Sequence, residues 1–166
     1  MTTLNSYFKF QAPNAAARPQ RDVRIANPAG KRELIMIVDD EDAVTLLAEH
    51  VLTAEGYRVV TARDGFQALD VFRKLHAEIR LVILDFVMPI VDGAQVLSQM
   101  RKVSTEVPIL LTSGFTANEG LKELLRKGLC GFIPKPLAQR KLLLSVRATL
   151  DGSRVDGVNA AVSRMS

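Results

Sequence analysis

Hydrophobic residues from Glu33 onward alternate between short continuous runs and segments in which they recur every three or four positions. Continuous apolar runs are typical of buried parallel strands, and the three-to-four spacing is typical of amphipathic helices. The runs predict five strands, at residues 34–38, 57–61, 81–84, 107–111 and 131–133. The segments between them predict five helices, at residues 42–55, 66–75, 93–102, 117–127 and 137–150. This strict alternation predicts an α/β fold, a doubly wound five-stranded parallel sheet with helices on both faces.

The two ends of the chain lack this periodicity. Residues 1–32 contain three prolines and six basic side chains against one acidic side chain, which gives a net charge of +5. Residues 33–150 are nearly neutral, and residues 151–166 are small, polar and balanced in charge. Such compositions bury too little apolar surface to offset the entropy lost on ordering. We therefore predict a flexible basic leader at 1–32, a folded domain at 33–150 and a flexible C-terminal tail at 151–166.

Composition limits the classes of protein to which the chain can belong. Cys130 is the single cysteine, so an internal disulfide framework and a multi-cysteine metal site are excluded. No apolar run approaches the roughly 20 residues that a membrane-spanning helix needs, and the N-terminus lacks the pattern of a signal peptide. We expect a cytoplasmic protein with no membrane association.

Polar side chains follow four of the five predicted strands. They are Asp39-Asp40-Glu41 after the first strand, Asp85 after the third, Thr112-Ser113 after the fourth and Lys135-Pro136 after the fifth. Ligands of doubly wound sheets bind outside the carboxyl ends of the strands, so these side chains are expected to meet at one edge.

This set of residues suits phosphoryl transfer. Converging carboxylates repel one another, and Mg²⁺, which prefers oxygen ligands, relieves the repulsion. An aspartate at a strand end acts as a nucleophile towards phosphorus in proteins that form an aspartyl phosphate. The charge of the transferred group is stabilised by the metal, a cation and a hydroxyl donor. Asp40, Asp85, Lys135 and Thr112 supply these parts.

Four stretches, each after a predicted strand, resemble the receiver domains of two-component response regulators over about Glu33 to Leu150. They are Ile37-Val38-Asp39-Asp40-Glu41, Leu84-Asp85-Phe86-Val87-Met88-Pro89 with Asp92-Gly93, Leu111-Thr112-Ser113-Gly114, and Phe132-Ile133-Pro134-Lys135-Pro136. The resemblance implies a flavodoxin-like receiver fold with the strand order 2-1-3-4-5. It also implies a cis peptide bond between Lys135 and Pro136.

The resemblance implies a role for each matching residue. Asp85 is the expected site of phosphorylation. The expected ligands of Mg²⁺ are Asp39, Asp40, Asp85 and the backbone carbonyl of Val87. Thr112 and Lys135 are expected to stabilise the phosphoryl group, and Thr112 and Phe132 to form a conformational switch. Val87 departs from many relatives, which carry a polar side chain at this position.

The implied function is that of a phosphoacceptor in two-component or phosphorelay signalling. The expected phosphodonor is a histidine kinase or a histidine phosphotransfer protein, and the only expected chemistry of the chain itself is self-phosphorylation and autodephosphorylation. Only 16 residues follow the last predicted helix, too few for a DNA-binding domain. We therefore expect a stand-alone receiver whose output passes through an unknown partner protein or through a homodimer that forms on phosphorylation.

Two other functions are compatible with parts of this pattern. A phosphotransfer enzyme of the haloacid-dehalogenase type also uses an aspartate at a strand end with Mg²⁺, but it needs a second aspartate at the position of Val87. A degenerate receiver that binds proteins independently of phosphorylation is the other alternative. The intact set of Asp40, Asp85, Thr112 and Lys135 argues against it.

Overall fold

A computed structural model of the protein describes residues 23–114, 124 and 128–152. Within these ranges the strands are β1 (Ile25–Ala26), β2 (Leu34–Val38), β3 (Arg58–Ala62), β4 (Ile79–Asp85), β5 (Ile109–Ser113) and β6 (Gly131–Pro134). The helices are α1 (Asp42–Ala54), α2 (Gly65–Leu75), α3 (Gly93–Val103) and α4 (Gln139–Leu150). The helix predicted at 117–127 lies outside the described residues except for Leu124, which is helical and buried. Among the helices in the described ranges, none combines the length and apolar content needed to cross a membrane.

The six strands form one sheet in the order β1-β3-β2-β4-β5-β6. All neighbours from β3 to β6 are parallel, and only β1 pairs antiparallel. The five strands predicted from the sequence are β2 to β6, and they keep the predicted order 2-1-3-4-5. The doubly wound α/β architecture is therefore confirmed, with one additional strand at the edge.

The core lies on both faces of the sheet because the strands alternate their side chains with a period of two. In β2, Leu34, Met36 and Val38 pack with residues of α2 and α3 on one face. Ile35 and Ile37 pack with residues of α1 and α4 on the other. All five residues are buried, which explains the continuous apolar run in the sequence.

Strand β1 corrects the predicted extent of the leader. Residues 1–32 are predicted to be flexible, yet Ile25 and Ala26 pair with Val60 and Val59 of β3. The amide nitrogen Nδ2 of Asn27 also donates a hydrogen bond to the Tyr57 carbonyl at 3.1 Å. A strand of two residues is too short to show a periodic pattern, and it covers an edge of β3 that is otherwise free to pair with other chains. The remaining leader, at 1–22, and the tail at 153–166 lie outside the described residues.

The loop between β4 and α3, residues 86–92, closes back on the end of β4. The Phe86 N–H donates to the Thr112 carbonyl at 2.9 Å, and the Gly93 N–H donates to the Phe86 carbonyl at 3.0 Å. Asp92 caps α3, since its carboxylate accepts a hydrogen bond from the Gln95 N–H at 2.8 Å. A Cβ atom at Gly93 would lie 2.5 Å from the backbone oxygen of Asp85. Glycine is therefore required where the loop returns.

We predict that Gly93→Ala lowers the free energy of unfolding by about 1–3 kcal/mol, because the added methyl group overlaps backbone atoms that have to move. Gly114→Ala is the matched control, since no atom of the described residues lies within 4 Å of a Cβ built there. We expect that control to change the stability by less than about 1 kcal/mol. Urea denaturation measures both values. Equal stability of the two variants would contradict the close return of the loop.

Candidate functional site

Four of the predicted site residues lie on one face of the sheet at the carboxyl ends of four strands. The core cluster under α1 and α4 contains residues from all four of these strands, and the last of them in each strand are Ile37, Ile83, Leu110 and Ile133. The residue two positions further along a strand points to the same face. Those residues are Asp39, Asp85, Thr112 and Lys135. The alternation that builds the core therefore also directs all four polar side chains to one site.

Strand register brings the residues to the same level. Val38 pairs with Leu84, so Asp39 lies beside Asp85 at the ends of β2 and β4. Asp85 pairs directly with Thr112 of β5. Asp39, Asp85 and Thr112 are each only 2% exposed. The site thus contains two carboxylates that are buried next to each other.

Asp40 completes a cluster of three carboxylates. It is exposed, unlike Asp39 and Asp85, and one oxygen of each of the three residues lies within 4.8 Å of the others. Oxygen ligands from carboxylates that converge in this way suit a hard divalent cation such as Mg²⁺, which completes its shell with water or phosphate oxygens. The donor set therefore fits the predicted cofactor. The participation of the Val87 carbonyl stays a prediction.

Lys135 is the cation that the structure places in this cluster. Its ammonium nitrogen Nζ lies 2.9 Å from Asp39, 3.0 Å from Asp85 and 3.1 Å from Glu41. The Lys135 N–H donates to the Ser113 carbonyl at 2.9 Å, which fixes the backbone beside β5. The peptide bond to Pro136 is cis, as predicted. An ammonium group has three donors, and three carboxylates surround it here.

At both Asp39 and Lys135, burial and hydrogen bonding shift the pKa in opposite directions. Burial raises the pKa of Asp39, and the nearby charge of Asp85 adds to this, although hydrogen bonds from Lys135 and the Glu41 N–H lower it. Burial alone lowers the pKa of Lys135, but the hydrogen bonds to Asp39, Asp85 and Glu41 prevail and raise it. Because the pKa of Asp39 is higher in the folded than in the unfolded state, protonation of this carboxyl favours folding. The free energy of unfolding that comes from this protonation is lost as pH rises through the folded-state pKa of Asp39.

Backbone N–H groups orient the two buried carboxylates. Oδ1 of Asp85 accepts a hydrogen bond from the Val87 N–H at 3.2 Å, while Oδ2 faces Lys135. Oδ1 of Asp39 accepts one from the Glu41 N–H at 2.9 Å. Each carboxylate is therefore held by the first turn of its own loop.

Phe132 lies apart from the cluster. It pairs with Leu111 of β5, the residue before Thr112, so its side chain points to the other face of the sheet from that of Thr112. It is half-buried and packs against the core under α2 and α3. The structure therefore brings Asp39, Asp40, Asp85, Thr112 and Lys135 to one edge, and places Phe132 behind that edge.

Glu41 is a site residue for which the sequence analysis predicts no role. Its carboxylate contacts Lys135, although the side chain is 62% exposed. The signal for this contact is its position directly after two aspartates at a strand end. The distance between Glu41 and Lys135 depends on the path of the chain after β6, which a sequence pattern does not define.

Residues 35–147 match the family described as the response regulator receiver domain. This match covers more than half of the chain and spans every residue of the cluster. It also begins after β1, so β1 lies outside the part that the family shares.

Individual relatives agree with this match. The chain is 31% identical over 140 residues to the sensor kinase CckA of Brucella abortus, which covers 84% of this chain and 15% of that protein. It is 31% identical over 153 residues to the transcriptional regulatory protein TrcR of Mycobacterium tuberculosis, covering 90% and 57%. The chain therefore spans little more than half of the second relative and a small part of the first.

A solved structure shows the same fold. The complex of CheX and CheY with BeF3 and Mg²⁺ from Borrelia burgdorferi contains a chain that is similar to this one, with a TM-score of 0.69 and 28% identity. The similarity covers 75% of this chain and 98% of that chain. The family match, the relatives and the fold agree with the acidic cluster at the strand ends, and this chain belongs to the response regulator receiver domain family of two-component signalling.

Proposed function

We propose that the chain accepts a phosphoryl group on Asp85 from a phosphorylated histidine kinase or histidine phosphotransfer protein. The observation that carries this proposal is a buried carboxylate with a lysine at 3.0 Å and a second buried carboxylate beside it. The complex that contains the similar chain was solved with Mg²⁺ and BeF3, a mimic of the phosphoryl group, which supports an equivalent use of this site.

The reaction exchanges one bond to phosphorus for another. A carboxylate oxygen of Asp85 bonds to phosphorus as the phosphorus–nitrogen bond of the donor histidine breaks. The electron pair of that bond returns to the imidazole nitrogen. Asp39, Asp40 and Asp85 would hold Mg²⁺, which neutralises charge on the phosphoryl oxygens when bound.

Lys135 and Thr112 stabilise the product in this proposal. Lys135 already contacts Asp85, so its ammonium group is placed to donate to a phosphoryl oxygen once the carboxylate is phosphorylated. Thr112 lies in register with Asp85 and offers a hydroxyl donor. Both residues stabilise negative charge without changing their own covalent structure.

The chain is proposed to signal rather than to turn over a substrate. Val87 is 50% exposed and occupies the position where a haloacid-dehalogenase enzyme needs its second aspartate. An apolar side chain there cannot act as a general acid or base. Output through a partner protein and a cytoplasmic location are parts of the same proposal.

We predict that acetyl phosphate and Mg²⁺ add one hydroxylamine-labile phosphoryl group to the chain, because an acyl phosphate on Asp85 is the expected product. Asp85→Asn removes the nucleophile and is expected to abolish the label. Asp92→Asn is the matched control, since asparagine caps helices about as well as aspartate and Asp92 caps α3. Intact-mass spectrometry measures the added group. Undiminished label in Asp85→Asn would show a different acceptor.

The proposal includes a switch that runs from Thr112 to Phe132. Movement of Thr112 towards the phosphoryl group leaves space behind β5. Phe132 on the neighbouring strand β6 then turns inward into that space. Phosphorylation thereby changes the surface near β6 and α4. The predicted helix at 117–127 belongs to the same proposed surface, outside the described residues.

We predict that beryllofluoride with Mg²⁺ shifts the NMR signals of Phe132 and of α4 as well as those of the acidic cluster. Thr112→Ala is expected to confine the shifts to the cluster, because the hydroxyl that draws β5 forward is absent. Thr45→Ala is a control, since that hydroxyl bonds within α1, to the Asp42 carbonyl at 3.0 Å. Wild-type shifts confined to the cluster would disprove the switch.

A further inference from the structure

Ile90 adopts a backbone conformation that its side chain disfavours. Its φ angle is +71°, in the left-handed region that favours glycine. The Val91 N–H donates to the Pro89 carbonyl at 2.8 Å, so Ile90 is the central residue of a tight turn closed across three residues. Turns of this kind with positive φ are rare and strained, and a β-branched residue is an outlier there. A glycine or an asparagine at position 90 would relieve the strain.

The side chain of Ile90 gains little from packing in exchange for this strain. It is 88% exposed, the largest exposure of any large hydrophobic residue in the described ranges. Val87, in the same loop, is 50% exposed. The other exposed large hydrophobic residues of these ranges lie on helices, namely Leu46, Leu47 and Leu144. The loop thus holds two exposed apolar side chains, one of them strained, and folding does not account for either.

The same loop starts and ends at the proposed acceptor. The Val87 N–H donates to the Asp85 carboxylate at 3.2 Å. Gly93 returns so close that an added Cβ would lie 2.5 Å from the Asp85 backbone oxygen. Ile90 is therefore the outer part of a short loop that is anchored at both ends to Asp85, at the edge of the sheet where the acidic cluster opens.

From this placement we propose that Val87 and Ile90 form the apolar contact that receives the protein carrying the donor histidine. This inference rests on the proposed function and names a binding surface for the phosphodonor. Asp85 is 2% exposed, so a phosphohistidine on a protein reaches it only if the surface around that histidine covers the neighbouring loop. An apolar surface on the donor would bury Ile90 and Val87, and the burial would offset the strain.

The chemistry of the two side chains favours a protein donor over a small one. Neither Val87 nor Ile90 has a polar atom in its side chain, so neither binds a phosphate group. A small phosphodonor such as phosphoramidate has the same phosphorus–nitrogen bond as phosphohistidine but no surface to cover the loop. The two kinds of donor therefore separate the docking contact from the phosphoryl transfer itself.

The test compares Ile90→Asn with Ile90→Val in the full-length chain. Asparagine tolerates positive φ and removes the apolar contact, whereas valine keeps both the strain and most of the contact. Each variant is phosphorylated by phosphoramidate with Mg²⁺. It is also phosphorylated by the autophosphorylated histidine kinase that labels the wild-type chain fastest in a purified set. Thermal melting is recorded for every variant.

We expect Ile90→Asn to lower kcat/KM for the kinase roughly tenfold, the effect of losing one buried aliphatic side chain. Its rate with phosphoramidate is expected to match wild type, and its melting temperature to lie within about 3 °C of wild type or above it. Ile90→Val is expected to keep most of the kinase reaction. A selective loss of this kind supports the docking contact.

Two results would overturn the inference without affecting the proposed function. One is an unchanged kinase rate in Ile90→Asn. The other is an equal loss with both donors together with a lower melting temperature, since this indicates a structural role of Ile90. Failure of phosphoramidate, or of every phosphorylated kinase in the set, to label the wild-type chain at Asp85 would instead reject the proposed function and this inference with it.

Discussion

The contact of one ammonium group with three carboxylates organises the functional edge of this protein. Asp39 and Asp85 are buried side by side, and burial of two like charges is unfavourable unless a cation accompanies them. Lys135 supplies that charge at 2.9 Å and 3.0 Å. The same carboxylates fit a divalent cation, so a bound metal would share these ligands with the lysine. The buried carboxylates thus require a positive charge beside them. A phosphoryl group on Asp85 would add negative charge to the site and so increase this requirement.

Much of the fold and of this site is predictable because the same residues define both. The apolar run of β2 ends directly in Asp39, and that of β4 ends in Asp85, so a strand prediction also predicts which carboxylates meet. Strand alternation places Thr112 and Lys135 on the same face as these acids. Gly56, with a φ of +86°, follows α1 close to residue 55, where the sequence predicts the end of that helix. The positions of these strands and helices follow from the local sequence pattern, without information on contacts between distant residues.

The remaining features depend on contacts that a local pattern does not encode. Strand β1 has two residues and owes its place to pairing with β3, far away in sequence. Glu41 acquires its contact with Lys135 only after the whole sheet is assembled. In both cases tertiary structure decides what the local sequence leaves open. The positive φ of Ile90 is a backbone conformation that isoleucine disfavours, so a local pattern does not predict it either.

Thermal denaturation of Lys135→Met with and without Mg²⁺ tests the demand for a cation most directly. Loss of one partner of a buried ion pair costs about 3 kcal/mol, so the metal-free variant is expected to melt well below wild type. Mg²⁺ is expected to raise its melting temperature more than that of wild type, because the metal then supplies the missing charge. Lys74→Met, which removes an exposed lysine paired with Asp70, is the control. If Lys135→Met melted like this control and responded equally to Mg²⁺, the buried carboxylates would not depend on a cation.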